Sequence, residues 1–354
     1  MKKNYRSIKK IAQSKILLGL VMIVLGVIII VLAIVGGGEG NNNNIADSNG
    51  ADVPVIGDQT PEEAPPVSSE PVESDGERDG QFGGEEPVET NTATASGIPC
   101  TLPSLSQNAI HTGELILVNN WTPYQFPEEQ ELVCIYEKKS SGYYVRDLSV
   151  YLSPVAMTAL DKMMVEFREQ GGPKGMNVVA GYRTAEEQQH LFDQSAQRNG
   201  LEHAQKYVAQ PGGSEHHTGL VVDFSIMQED GSSRDYDGSG AYAWIGQNCQ
   251  EYGFVVRYAP GKEELTGIYD EPWHFRYLGV PHATHITSLG MCLEEYIDYL
   301  KDYTFEGEHL TIECSEGTYE VWYTEGTQVY LPDSGEYQIS GNNVDGVIVT
   351  VKIG

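Results

Sequence analysis

Two short motifs constrain this chain more than any other part of it. The first is Ser214-Glu215-His216-His217-Thr218-Gly219-Leu220-Val221-Val222-Asp223, and the second is Glu271-Pro272-Trp273-His274. Asp223 and His274 stand 51 positions apart, so a fold that uses both must bring two distant segments to one point. His216 and Asp223, seven positions apart, would share one face of a helix. Gly219 and the β-branched run behind it favour a loop leading into a strand instead. Pro272 excludes a helix interior for the second motif. Two imidazoles and one carboxylate form a donor set for Zn²⁺ with a fourth position open to water. The remaining carboxylate, Glu271, suits a base for that water. Each motif alone has a plainer reading. His274 reads as a satisfied core histidine, Glu271 as a surface carboxylate and Trp273 as core. His217 competes with His216 on local grounds, although in an extended segment its side chain would point away.

Charge divides the chain into regions. There are 51 Asp and Glu against 22 Lys and Arg, for a net charge of −29, yet Lys2, Lys3, Arg6, Lys9, Lys10 and Lys15 all precede the first acid. Ile16 to Val35 is apolar, uncharged and long enough to span a bilayer as a helix. The basic flank predicts a cytoplasmic N-terminus (residues 1–15), a membrane anchor (16–35) and an outward-facing remainder. Ile34-Val35-Gly36-Gly37 is a poor cleavage site, which favours an uncleaved anchor over a secretory signal. Residues 36–99 are rich in Asn, Pro, Ser, Gly and acids and lack apolar periodicity, which predicts a disordered acidic tether. The acidic balance argues against nucleic acid as a partner. The five cysteines are odd in number and lack metal-site spacing, so they form no disulfide framework; one pair, Cys100 with Cys134, is conceivable.

The rest reads as α+β: a small, mostly antiparallel sheet with flanking helices across 100–304, followed by a small all-β unit across 305–354. Leu115–Val118, Leu132–Ile135 and Tyr143–Val145 read as short strands. Ser153-Pro154 opens a helix that Gly171-Gly172 ends. Met176–Ala180 is a strand, and Thr184-Ala185-Glu186-Glu187 is a capping box opening a helix to about Arg198. Strands are expected at Leu220–Phe224, Phe254–Tyr258 and Glu271–Tyr277, with a helical face from Ala241 to Tyr252 that Gly253 closes. In the C-terminal unit, Tyr319, Trp322, Tyr323 and Tyr330 suggest either a binding surface or, more plainly, a packed core.

Read together, four blocks carry a resemblance. They are Gly181-Tyr182-Arg183-Thr184 with Gln188; Pro211-Gly212-Gly213-Ser214-Glu215-His216; Gly253-Phe254-Val255-Val256-Arg257-Tyr258; and Thr266 through Tyr277 around Glu271-Pro272-Trp273-His274. In that order they resemble the zinc D-alanyl-D-alanine carboxypeptidases of the VanY type, relatives of the D-Ala-D-Ala dipeptidases, over about residues 113–285. The resemblance implies one Zn²⁺ per chain held by His216, Asp223 and His274, with Glu271 as general base and then acid. It implies Arg183 at the developing oxyanion, and Ser214 and Gln188 in contact with substrate. It further implies removal of the C-terminal D-alanine from peptidoglycan stem peptides by metal-activated water. An L,D-carboxypeptidase, an endopeptidase on the same scaffold or a catalytically dead wall-binding module are the alternatives. Oligomeric state is open.

Overall fold

A computed structural model describes residues 94–354. The expected tail and anchor, 1–35, lie outside the described residues, as does the expected tether up to residue 93. Among the described residues no helix is long and apolar enough to cross a membrane. The described residues before 100 are held to the fold. The Thr94 hydroxyl donates to Ile98 O and accepts from its amide, and the Ala95 amide donates to Glu320 Oε1. These bonds fix residues 94–99, which composition assigns to the tether.

Local sequence chemistry sets the main elements. Helix α1 (Pro154–Glu169) has Ser153 as N-cap and Pro at its first position; Ala156, Leu160, Met163, Met164 and Phe167 line its buried face. Helix α2 (Ala185–Asn199) carries the full capping box between Thr184 and Glu187. Gly200, at φ 91°, turns it into α3 (Leu201–Tyr207). The helical face expected from Ala241 to Tyr252 is a short α-helix, Ala243–Asn248, between two 3-10 turns, and it buries Ile245 and Cys249.

The central sheet contains β1 (Tyr144–Val145), β2 (Met176–Ala180), β3 (Val221–Met227), β4 (Ser233–Asp235), β5 (Phe254–Tyr258) and β6 (Glu271–Tyr277). Its order is β1-β2-β3-β6-β5, with β4 also on β3, and β1–β2 is its one parallel pairing, so the mostly antiparallel expectation holds. Along β3, Val222, Phe224 and Ile226 face the core built on α1, with Leu220 just before them, while Asp223 alternates to the opposite face.

Beyond the sheet lie α4 (Val280–Leu289), α5 (Leu293–Leu300) and a second sheet of β7 (Leu310–Cys314), β8 (Gly317–Glu325), β9 (Tyr337–Gly341) and β10 (Gly346–Lys352) in the order β7-β8-β10-β9. The expected C-terminal β unit is present, but it does not stand alone. Ile312, Val321, Tyr323 and Ile348 share one core with Ala283 and Ile286 of α4, Leu293, Tyr296 and Ile297 of α5, and Leu115 and Leu117. Its aromatics follow the packed alternative: Trp322 is fully buried and Tyr330 stacks on Phe305 at 3.9 Å.

Leu115–Val118 is not a strand. It is a buried strap whose backbone bonds go to scattered partners rather than to a ladder. The Leu115 amide donates to Ser340 Oγ, and the Asn343 side-chain amide donates to Leu117 O. Arg276 Nη2 donates to Glu114 O and Ile116 O. Leu132–Ile135 shrinks to a two-residue strand, Val133–Cys134, paired with Tyr151–Leu152. All five cysteines are free thiols, so the Cys100–Cys134 pair does not form. Cys100 sits instead in a two-residue pairing with Leu331–Pro332.

Candidate metal centre

The two motifs meet at the junction of β3 and β6. Asp223 and His274 are direct cross-strand partners, which places both on the same face of the sheet. Register shifts flank the pair, between Val178 and Ala180 on one side and between Val256 and Tyr258 on the other. Such irregularities re-aim side chains at the edge of a site. His216 arrives on a short 3-10 turn, Glu215–Thr218, which Gly219 ends at φ 69°. The expected loop leading into a strand is this turn followed by β3, and it aims His216 and His217 differently.

Backbone contacts lock this turn to the Gly181-Tyr182-Arg183 loop. His216 Nδ1 lies 2.6 Å from Gly181 O, and His217 Nδ1 lies 2.7 Å from Arg183 O. The Arg183 amide donates to His216 O at 3.2 Å. A Cβ at Gly181 would meet Tyr151 O at 2.3 Å, so only glycine permits this approach. Because a carbonyl only accepts, His216 Nδ1 carries the proton and Nε2 presents a lone pair to the cleft. His217 is spent elsewhere, since its Nε2 also accepts from the Gly212 amide at 3.1 Å.

Around the focus, His216 Nε2 is 3.2 Å from Asp223 Oδ2, and His274 Nδ1 is 3.1 Å from Asp223 Oδ1. The three donor atoms lie within 4.8 Å of one another. Ligands about 2.0–2.1 Å from a tetrahedral Zn²⁺ sit about 3.3 Å apart, so the Asp223 spacings suit that ion. Asp223 Oδ1 is buried without a hydrogen-bond partner, as a carboxylate reserved for a cation would be. Burial opposes ionisation of Asp223, but His216 and His274 outweigh it and hold the carboxyl far below its usual range. His274 is itself disfavoured as a cation by burial, yet Asp223 and Glu215 raise it to about 9. The His274 shift reports the negative charge gathered around it, and the Asp223 shift reports the two imidazoles that face it.

Glu271 opens β6 with Oε2 3.5 Å from His274 Nδ1. Burial is the main cause that lifts its carboxyl to about 7, with His274 opposing and Asp223 assisting. Arg183 Nη1 donates to Gln188 Oε1 at 2.7 Å, and Gln188 Nε2 donates to Ala209 O at 2.7 Å. Gln188 is thus committed to holding Arg183. Ser214 is buried just before the 3-10 turn, in the wall of the same cleft. The structure therefore brings all seven candidate residues, Arg183, Gln188, Ser214, His216, Asp223, Glu271 and His274, to one cavity of about 330 Å³, with Tyr258 and Trp273 beside them.

Sequence reasoning assigned no role to the layer behind them. Glu215 is fully enclosed; its Oε1 accepts from Arg257 Nε at 2.9 Å and Arg276 Nη1 at 3.0 Å. Its Oε2 is 3.6 Å from His274 Nε2, so this carboxylate supports the histidine from behind. Burial disfavours its charge, but the two guanidinium groups outweigh burial and keep it ionised. Arg257 also clamps Glu294 of α5 through two bonds, at 2.9 and 2.7 Å. The signal lay in the same blocks, as Glu215 precedes His216, Arg257 sits in β5 and Arg276 lies two residues past His274.

Comparison with known proteins agrees with this geometry. The family model described as VanY, D-alanyl-D-alanine carboxypeptidase, matches residues 149–280. A D-alanyl-D-alanine carboxypeptidase of Enterococcus faecium is 33% identical over 258 residues, covering 70% of this chain and 78% of that protein. The bifunctional D-Ala-D-Ala dipeptidase and D-Ala-D-Ala carboxypeptidase VanXYC of Enterococcus gallinarum is 40% identical over 157 residues, covering 44% of this chain and 81% of the relative. The solved structure of the vancomycin resistance D,D-dipeptidase VanXYg, in complex with a D-Ala-D-Ala phosphinate analogue, superposes with a TM-score of 0.64 at 32% identity, covering 71% of this chain and 98% of that one. The chain belongs to the VanY family of D-alanyl-D-alanine carboxypeptidases.

Proposed function

We propose that this protein is a zinc-dependent carboxypeptidase that removes the terminal D-alanine from peptides ending in D-Ala-D-Ala, such as peptidoglycan stem peptides. The observation that carries the reading is the convergence of His216 Nε2, Asp223 and His274 Nδ1 on one point, with Glu271 beside it. One Zn²⁺ held by those three residues would supply Lewis acidity toward a carbonyl oxygen and lower the pKa of a water. Glu271, at about 7, is suited to take a proton from the attacking water and return it to the leaving amine. Arg183, held by Gln188, offers a fixed cationic donor to the oxygen on which charge develops. Ser214, in the cleft wall, is the residue assigned to contact with the substrate near its terminal carboxylate. Gln188 acts at the substrate through the orientation of Arg183.

The apolar run at Ile16–Val35 and the acidic stretch behind it support a protein held at the cell membrane by one N-terminal helix, with the catalytic part outside. Cleavage of free D-Ala-D-Ala is a second reading, favoured by the dipeptidase activity of the VanXYC and VanXYg relatives. Incubating the full chain with a stem pentapeptide and with free D-Ala-D-Ala, each with and without a chelator, tests both. Chelator-sensitive release of D-alanine from the pentapeptide is expected. Release from neither substrate overturns the proposal.

A further inference from the structure

The cavity at the metal centre does not end at the metal centre. From Gln188 it continues past Leu191, Gln194, Ser195 and Arg198. Leu191 and the three that follow it stand three, four and seven positions apart, so they form one stripe of α2. The facing wall comes from the end of α3 and the segment after it: Tyr207, which stacks on Tyr269 at 5.0 Å, and Val208. The ten helical steps from Gln188 to Arg198 cover about 15 Å. An extended peptide covers that distance with about four residues. A terminal dipeptide at the metal centre would leave most of this length empty.

Arg198 closes the far end. Its guanidinium is exposed, and among the described residues it makes no ion pair or side-chain hydrogen bond. Its neighbours on the stripe, Gln194 and Ser195, are uncharged. Asp193 lies on a different face of α2, bonded to Gln189, and Glu202 of α3 is paired with Lys206. This leaves a free positive charge at one end of a peptide-length cleft whose other end is rich in carboxylates. A basic residue in the last turn also suits the helix dipole, but that role requires no opening into the cleft.

We propose that this extension is an upstream peptide subsite, in which Arg198 receives a carboxylate carried by a residue three or four positions before the scissile bond. The inference rests on the carboxypeptidase reading and adds that the enzyme selects acidic peptides over free D-Ala-D-Ala. It is tested with the zinc-loaded full chain on three probes. These are a pentapeptide ending in D-Ala-D-Ala with Glu at its second position, the same peptide with Gln there, and acetyl-D-Ala-D-Ala. The wild type is expected to favour the Glu peptide by about fivefold in kcat/KM, the scale of one exposed ion pair. Arg198→Gln should remove that preference, Arg198→Lys should restore part of it, and both variants should cleave acetyl-D-Ala-D-Ala at the wild-type rate. Equal wild-type rates on the two pentapeptides, or an Arg198→Gln loss equal on long and short probes, overturn the subsite alone. Absence of D-alanine release from all three probes overturns the carboxypeptidase reading beneath it.

Discussion

Two buried histidines, eight positions apart, have opposite surroundings. His274 on β6 faces Asp223, Glu271 and Glu215, and is driven up to about 9. His282 on α4 sits between the hydroxyls of Tyr296 at 2.9 Å and Thr350 at 2.7 Å. Burial is the main cause that pushes it down to about 3, with His285 assisting. Both rings are removed from water, so depth is not what distinguishes them. The partners do: neutral hydroxyls satisfy both nitrogens of His282 and close the seam between α4 and β10, whereas carboxylates around His274 leave a centre with surplus negative charge. A satisfied histidine is architecture, and a histidine among carboxylates is a place for a cation.

The sharpest way to break this contrast is to remove a donor. Asp223→Ala or His274→Ala should reduce metal content from one zinc per chain to trace levels by elemental analysis, and lower D-alanine release by more than about 10³-fold. Glu271→Gln should keep the zinc but lower kcat by about 10²–10⁴-fold, separating base from ligand in one assay. Behind the cleft, Glu215→Gln leaves Arg257 and Arg276 without their shared anion, and should cost about 3–5 kcal/mol in denaturant unfolding at neutral pH.

The His282 side of the contrast is read by pH. Its folded-state value, about 3, lies below its ordinary 6.5. The unfolded chain therefore binds the extra proton between those values, and the native state loses stability as pH falls through that window, by about 1.4 kcal/mol per pH unit. His282→Gln should flatten this part of the acid-unfolding curve. At the lower limit, Lys206→Ala removes an exposed pair with Glu202 and should leave the unfolding midpoint unchanged.

Local chemistry explains which parts of this were legible in the sequence. The Ser153-Pro154 start and the Thr184–Glu187 capping box depend on neighbours in the chain, and both appear as expected. The meeting of His216, Asp223 and His274 was legible because each motif holds its side chains on a short, constrained segment, with Pro272 in one and Gly219 in the other. Glu215 was not, because its partners Arg257 and Arg276 lie 42 and 61 positions away and only the sheet register brings them together. Leu115–Val118 has the composition of a strand, but its backbone is satisfied by Arg276, Ser340 and Asn343 from elsewhere in the fold. The odd cysteine count excluded a disulfide framework, but only the fold separates Cys100 from Cys134.

The anchorage of residues 94–101 has a mechanical meaning. The chain enters through the Ala95 bond to Glu320 on β8 and the two-residue pairing of Cys100–Thr101 with Leu331–Pro332. A pull applied at Thr94 is therefore borne first by the C-terminal sheet. That short pairing is the weak link in the load path, and its failure would let out slack while β3, β6 and the donors on them stay in register. The C-terminal sheet would thus act as a strain relief, keeping a pull at Thr94 away from the strands that carry Asp223 and His274.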